Sequence, residues 1–191
     1  MKVFSSICIL MFASLAWCQS QAELGAHVPS QAAADILRDY AGADGAFLAA
    51  GLVKTSYQKD DLATLLQYPT DALVVVTITG AQVKQAFEKS LSLYPQANTS
   101  FLQISGFEVV FSRDAASGQR VVQVKCNGQA LEESKEYKIA MPSSLGRGGL
   151  GYYKLWDKAK ITKTFDKATV ESILKGKRFV ETSSRWVASG S

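Results

Sequence analysis

Residues 143–153 read SSLGRGGLGYY and bring four glycines, one arginine and two tyrosines together just after the strand-like YKIAM. Glycine permits positive φ and lets backbone N–H groups approach a ligand, while tyrosine offers a flat face and a hydroxyl. That composition suits a loop on which a flat ligand docks, and it equally suits a packed turn between two elements. The candidate binding residues are Tyr152 as a ring, Gly148, Gly149 and Gly151 as backbone, and Arg147 as a cation.

Hydrolytic chemistry lacks its usual groups. His27 is the only histidine, and it stands near the N-terminus in what reads as a mobile leader. A zinc or two-metal site draws on several histidines with carboxylates, and a serine or cysteine nucleophile usually needs a histidine base. Neither assembles from these residues, so no catalytic residue, metal or cofactor is expected, and His27 reads as a bystander. The pairs Asp60-Asp61 and Glu132-Glu133 are sequence neighbours whose side chains diverge, which prevents them from converging on one reacting atom. Cys126 ends an alternating segment beside Asn127-Gly128 and reads as a small half-buried side chain, with no nearby group to make it a reactive thiol.

The elements that must position these residues alternate between helix and strand signals. Ser30 can cap a helix with Ala33, Ile36, Leu37 and Tyr40 on one face and Gly42 at its end. Residues 45–51, GAFLAAG, suit a buried strand leading to a turn; residues 60–67 suit a short helix stopped by Pro69. The β-branched run 73–79 is the strongest strand, and it feeds a helix through the capping box Thr79-Gly80-Ala81-Gln82, with Val83, Phe87 and Leu91 as the apolar stripe. Strands are expected at 107–112, 120–125 and 136–141, with a hairpin signal at Asn127-Gly128, and a last helix at 166–175. The tail from 177 onward reads as frayed, apart from a contact by Phe179 or Trp186. The fold class is α/β, a single domain with a mixed sheet and flanking helices.

With 191 residues, 47% hydrophobic and 20% charged, the chain is sized for one folded domain. The net charge of +4 comes without Lys/Arg runs interleaved with aromatics, so no nucleic-acid partner is indicated. Met1-Lys2, the apolar run 3–17 and Ser20-Gln21-Ala22 form an export signal, which predicts a signal peptide at 1–22, a leader at 23–29, a domain at 30–176 and a tail at 177–191. Cleavage removes Cys8 and Cys18 and leaves Cys126 alone. The chain is then expected outside the cytoplasm, periplasmic or extracellular, without a membrane span.

The succession ADILRDYAGADGAFLAAG, DLATLLQYPTDALVVVTITGAQVKQAFEKS, FLQISGFEVVF and YKIAMPSSLGRGGLGYY resembles the C-terminal domain of the secreted 5'-nucleotidase and UDP-sugar hydrolase family, over about residues 30–175. The resemblance implies a domain that holds the nucleoside end of a substrate between two aromatic rings, while a separate metallophosphoesterase domain, without counterpart here, carries the metals. The family's Gly-Gly-Asp-Gly-aromatic falls on Gly148-Gly149-Leu150-Gly151-Tyr152, which puts a stacking ring at Tyr152 and replaces the aspartate by Leu150. Its Asn-Gly-Gly-Gly-Ile-Arg falls on Leu48-Ala49-Ala50-Gly51-Leu52-Val53, and both polar contacts are gone. Its Leu-Pro-Phe turn falls on Gln67-Tyr68-Pro69, with Tyr68 beside the second ring's place. Two lost charge-assisted contacts, at about 1.5–3 kcal/mol each, outweigh one stack of about 1–3 kcal/mol. Three functional expectations follow: a nucleoside- or nucleotide-binding accessory subunit beside a separate metallophosphoesterase, a protein-interaction module that has lost nucleotide binding, or an independent hydrolase without metal.

Overall fold

The computed structural model describes residues 21–178, 180 and 183–189. The run 1–20 of the expected signal peptide, with Cys8 and Cys18, and Phe179 lie outside the described residues.

The strongest sequence signal forms the centre of the larger sheet. Strand β2 (Ala72–Thr79) pairs antiparallel with β7 (Glu136–Pro142) on one side and with β8 (Ile161–Thr169) on the other. Strand β1 (Gly45–Ala49) lies parallel to β7 and antiparallel to β3 (Leu102–Ser105), giving the order β3-β1-β7-β2-β8. A smaller sheet has the order β6-β5-β4-β9, from β4 (Phe107–Ser112), β5 (Val121–Cys126), β6 (Gln129–Ala130) and β9 (Trp186–Ser189). Asn127 and Gly128 both take positive φ, 49° and 81°, and join β5 to β6 in a two-residue hairpin, as the Asn-Gly signal predicts.

Helix α3 (Gly80–Ser90) follows β2 directly through the expected capping box: the Thr79 amide donates to Gln82 Oε1 at 3.0 Å, and the Gln82 amide donates to Thr79 Oγ1 at 3.3 Å. Its stripe Val83, Phe87 and Leu91 is fully buried. Phe87 ties the two sheets into one core, because its ring meets Phe47 of β1 at 5.6 Å, Phe107 of β4 at 5.5 Å and Trp186 of β9 at 5.5 Å, in edge-to-face geometry. Helix α2 (Val28–Ala41) ends at Gly42 in the left-handed conformation and packs on β1 and β3.

Several local expectations need correction. The leader is ordered: α1 (Gln21–Leu24) and the start of α2 are held by Gln103, whose Nε2 donates to the carbonyls of Ala22 at 2.9 Å and Gly25 at 2.8 Å, while its Oε1 accepts from the His27 amide at 2.8 Å. His27, not Ser30, is the residue preceding α2, and Tyr40 points outward, exposed. The segment 60–67 makes only a 3-10 turn at Leu62–Leu65, capped by Asp61. The span 166–175 begins as the end of strand β8, and helix α5 is only Val170–Leu174. The expected frayed tail contains β9, which lies parallel to β4 with Trp186 buried. Among the described residues no helix is long and apolar enough to cross a membrane.

Candidate functional site

Strands β1 and β7 are parallel neighbours, so the segments that follow them emerge at the same edge of the sheet, the place where ligands commonly sit in open α/β sheets. After β1 the chain turns through Ala50–Leu52, its amides at Ala50 and Gly51 donating to the carbonyls of Phe101 at 2.8 Å and Thr99 at 2.8 Å. After β7 it forms α4 (Ser143–Gly146), which lies so close to β2 that a Cβ on Gly146 would stand 2.5 Å from Val74 Cγ2. Asp71, at the start of β2, holds this arrangement: its carboxylate accepts from the Ser143 hydroxyl and, at 3.0 Å, from the Ser144 amide. The Asp71 amide donates to the Tyr68 carbonyl, and its own carbonyl accepts from Val170 at the start of α5. The Tyr68 turn, α4 and α5 therefore converge on one residue.

The Gly-rich loop then reverses direction. Gly148 has φ 89°, and a Cβ there would lie 2.6 Å from Tyr153 Cα. Leu150 also has positive φ, 53°, a conformation that asparagine and aspartate adopt far more readily than a branched apolar residue. The Leu150 carbonyl accepts from Ser100 Oγ at 2.8 Å, and the Leu150 side chain packs toward Gly51, so the loops after β1 and β7 are in contact.

Tyr152 is the main difference from expectation. Its ring is 0% exposed. It stacks on Trp156 with centroids 4.6 Å apart and planes 14° from parallel, and Lys89 Nζ lies 5.3 Å from the ring centroid. Its hydroxyl donates to the Ser100 carbonyl at 2.6 Å, and burial pushes its pKa well above the ordinary phenol range. Trp156 is itself anchored, its indole N–H donating to the Leu145 carbonyl at 2.9 Å. The loop turns its aromatic ring inward because the ring completes a core layer with Trp156, whose ring in turn lies 6.2 Å from Phe47.

The other candidates are scattered around this plug. Gly149 and Gly151 flank Leu150 in the loop, and Arg147 is exposed with no carboxylate partner among the described residues. Tyr68 is 57% exposed and offers a free ring. Leu48 and Val53 are buried in the core, Leu48 completely. His27 lies in a different place, half-buried against Tyr57, with Nδ1 2.7 Å from Ser30 Oγ and a pKa lowered by burial. Cys126 is buried, and burial, assisted by Asp44, pushes its thiol up to about 11. Asp71, Ser100 and Lys89 organise the site without having stood out in the sequence; each acts through a contact with a distant segment. Among the described residues no three His, Cys, Asp or Glu side chains cluster as metal ligands would.

The family described as 5'-nucleotidase, C-terminal domain, matches residues 19–157. The chain belongs to that family. Among its relatives, a snake venom 5'-nucleotidase of Macrovipera lebetinus is 38% identical over 89 residues, covering 42% of this chain and 22% of the relative. A 5'-nucleotidase-related protein of Glossina morsitans morsitans is 33% identical over 128 residues, 60% of this chain and 23% of the relative. A 5'-nucleotidase precursor from Thermus thermophilus shares the fold with TM-score 0.73 at 20% identity, over 87% of this chain and 36% of that one. The NAD nucleotidase of Haemophilus influenzae does so with TM-score 0.65 at 18% identity, over 90% and 36%. The chain thus spans under a quarter of these curated relatives and about a third of these solved chains. Strand β8, helix α5 and strand β9 lie beyond the matched residues, yet β8 and β9 each supply an edge strand to one of the sheets of this 5'-nucleotidase C-terminal domain.

Proposed function

We propose that this 5'-nucleotidase C-terminal domain is an exported, non-catalytic accessory module in nucleotide breakdown, which works by contacting a separate metallophosphoesterase. The observation that carries this reading is Tyr152, whose ring already stacks on Trp156 on the inside of the domain. A nucleoside stacked there would have to break that pair and the bond to Ser100, and no polar contact is available from Leu48 or Val53. The edge outside the plug carries Tyr68, Arg147 and Tyr153 in exposed positions, an aromatic and cationic composition typical of protein contacts. The N-terminal sequence pattern and a relative found in venom support export.

Co-purification from the native source tests the reading. A metallophosphoesterase recovered with the wild-type chain and lost with Tyr68→Ala/Arg147→Ala supports it, and its absence overturns it. Calorimetry with nucleosides, nucleotides and UDP-sugars is expected to give no heat at millimolar ligand.

A second reading, direct binding of a flat nucleoside-like ligand, is favoured by one observation: the Tyr68 ring is exposed. Calorimetric heat lost in Tyr68→Ala but kept in Tyr152→Phe would favour it over the first.

A further inference from the structure

Eight of the chain's 21 cationic residues fall between Lys154 and Arg178, against three of its 17 acidic ones. This stretch therefore carries a net +5, and the rest of the chain a net −1. All eight cations are exposed, and none has a carboxylate partner among the described residues. Five of the eight lie at or before β8, the outer strand of the larger sheet: Lys154, Lys158 and Lys160 lead into it, and Lys163 and Lys167 stand on it. Phe165 sits among them, half-buried, its ring 5.4 Å from Tyr40 of α2 and 4.3 Å from Lys163 Nζ.

Lysines on an edge strand discourage pairing with other chains, and that role alone calls for one or two. Lys163 and Lys167 answer to that role, but Lys154, Lys158 and Lys160, exposed in the turns that lead into the strand, fall outside it. Lys163 and Lys167 stand four residues apart on the strand, roughly 13 Å at about 3.3 Å per residue, and the other three lysines precede it, so a single small anion reaches only a fraction of the five. A cavity of about 520 Å³ lies elsewhere, lined by Arg38, Asn127, Arg185 and other residues of the smaller sheet and its surroundings, and none of the lysines at or before β8 lines it. Point-like ammonium groups gathered in and before one edge strand, with the Phe165 and Tyr40 rings beside Lys163, match a surface of many negative charges bordered by apolar material.

We propose that the β8 edge is a docking surface for anionic lipid headgroups, which holds the domain against a membrane without inserting a helix. The attraction is additive over lysines and screened by salt.

Vesicle co-sedimentation of the purified protein tests this, with phosphatidylcholine alone and phosphatidylcholine mixed with phosphatidylglycerol. Any apolar N-terminal segment contributes to both vesicle types, so the readout is the difference between them. The expected result is preferential binding to the anionic vesicles, reversed by high salt and weakened at least about tenfold in Lys163→Glu/Lys167→Glu. Lys158→Gln/Lys160→Gln, outside the sheet ladder, is expected to weaken it as well, and Lys125→Glu/Lys138→Glu to leave it unchanged. Equal binding to both vesicle types, binding indifferent to the β8 substitutions, or capture by soluble heparin without vesicle binding would each overturn the proposal.

Discussion

Arg185 and Asp35 meet at 2.5 Å although 150 residues separate them in sequence. The guanidinium also donates to the carbonyls of Ile104 at 2.6 Å and Gln31 at 3.2 Å, and the other oxygen of Asp35 accepts from Ser105 Oγ at 2.5 Å. One side chain next to β9 thus fastens the smaller sheet to α2 and β3. Arg185→Ala is expected to lower stability by about 2–3 kcal/mol, because it strands a mostly buried carboxylate and two carbonyls. Urea denaturation measures this, and Arg185→Lys, lacking the planar fork, is expected to restore only part of it. A loss under about half a kilocalorie would show that the pair is dispensable.

Gln31 is fully buried on α2, and neither atom of its side-chain amide has a hydrogen-bond partner among the described residues. Gln31→Met keeps a similar volume without the unmet polar atoms, and it is expected to raise stability by about 1 kcal/mol. A destabilised variant would mean that water satisfies the amide.

Tyr152→Phe removes the hydroxyl that the Ser100 carbonyl accepts from and leaves the stack on Trp156 intact. The expected loss is about 1–2 kcal/mol in chemical denaturation, whereas Tyr152→Ala, which opens a cavity beside Trp156, is expected to lose about 3–5 kcal/mol. Equal effects of the two substitutions would place the ring outside the core.

The pKa of His27 is lowered by burial. Between its folded and unfolded values the unfolded chain binds the extra proton, so stability is expected to fall as pH drops below about 6.5. Thermal melts from about pH 7.5 to 5.5 check this, and His27→Gln is expected to flatten the slope. The thiol of Cys126 runs the other way: with its pKa raised to about 11, its contribution is intact at neutral pH and declines as pH rises from about 9 through 11. Labelling by a thiol reagent at about pH 8 is expected to be slow until urea unfolds the chain, and rapid labelling of the native protein would contradict the burial of Cys126.

What the sequence disclosed depended on whether a segment's reasons for its structure are local. The capping box at Thr79 and Gln82 and the turn at Asn127 and Gly128 are written within four residues, and both are found where they are expected. Strand β8 was hidden because an edge strand with both faces largely in water, ITKTFDKAT, lacks the apolar alternation that reveals strands, and its last residues resemble a helix start. Strand β3 carries the buried polar residues Gln103 and Ser105, whose partners lie in α1 and α2, so its pattern has no meaning until those elements are in place. The family resemblance singles out the Gly-rich loop, but the direction of the Tyr152 ring is set by Trp156, Ser100 and Lys89, and none of these contacts is visible in the motif.

The pairing of Val109 in β4 with Trp186 in β9 has a bearing on how the protein is made. During synthesis β4 and β5 emerge long before β9, and until then one edge of the smaller sheet is unpaired and Phe87 has no indole against it. Most of the larger sheet can assemble while the smaller one stays open. The two strands that close the smaller sheet's edge thus come from segments more than seventy residues apart, so its last contacts form only after the chain has passed through β7 and β8.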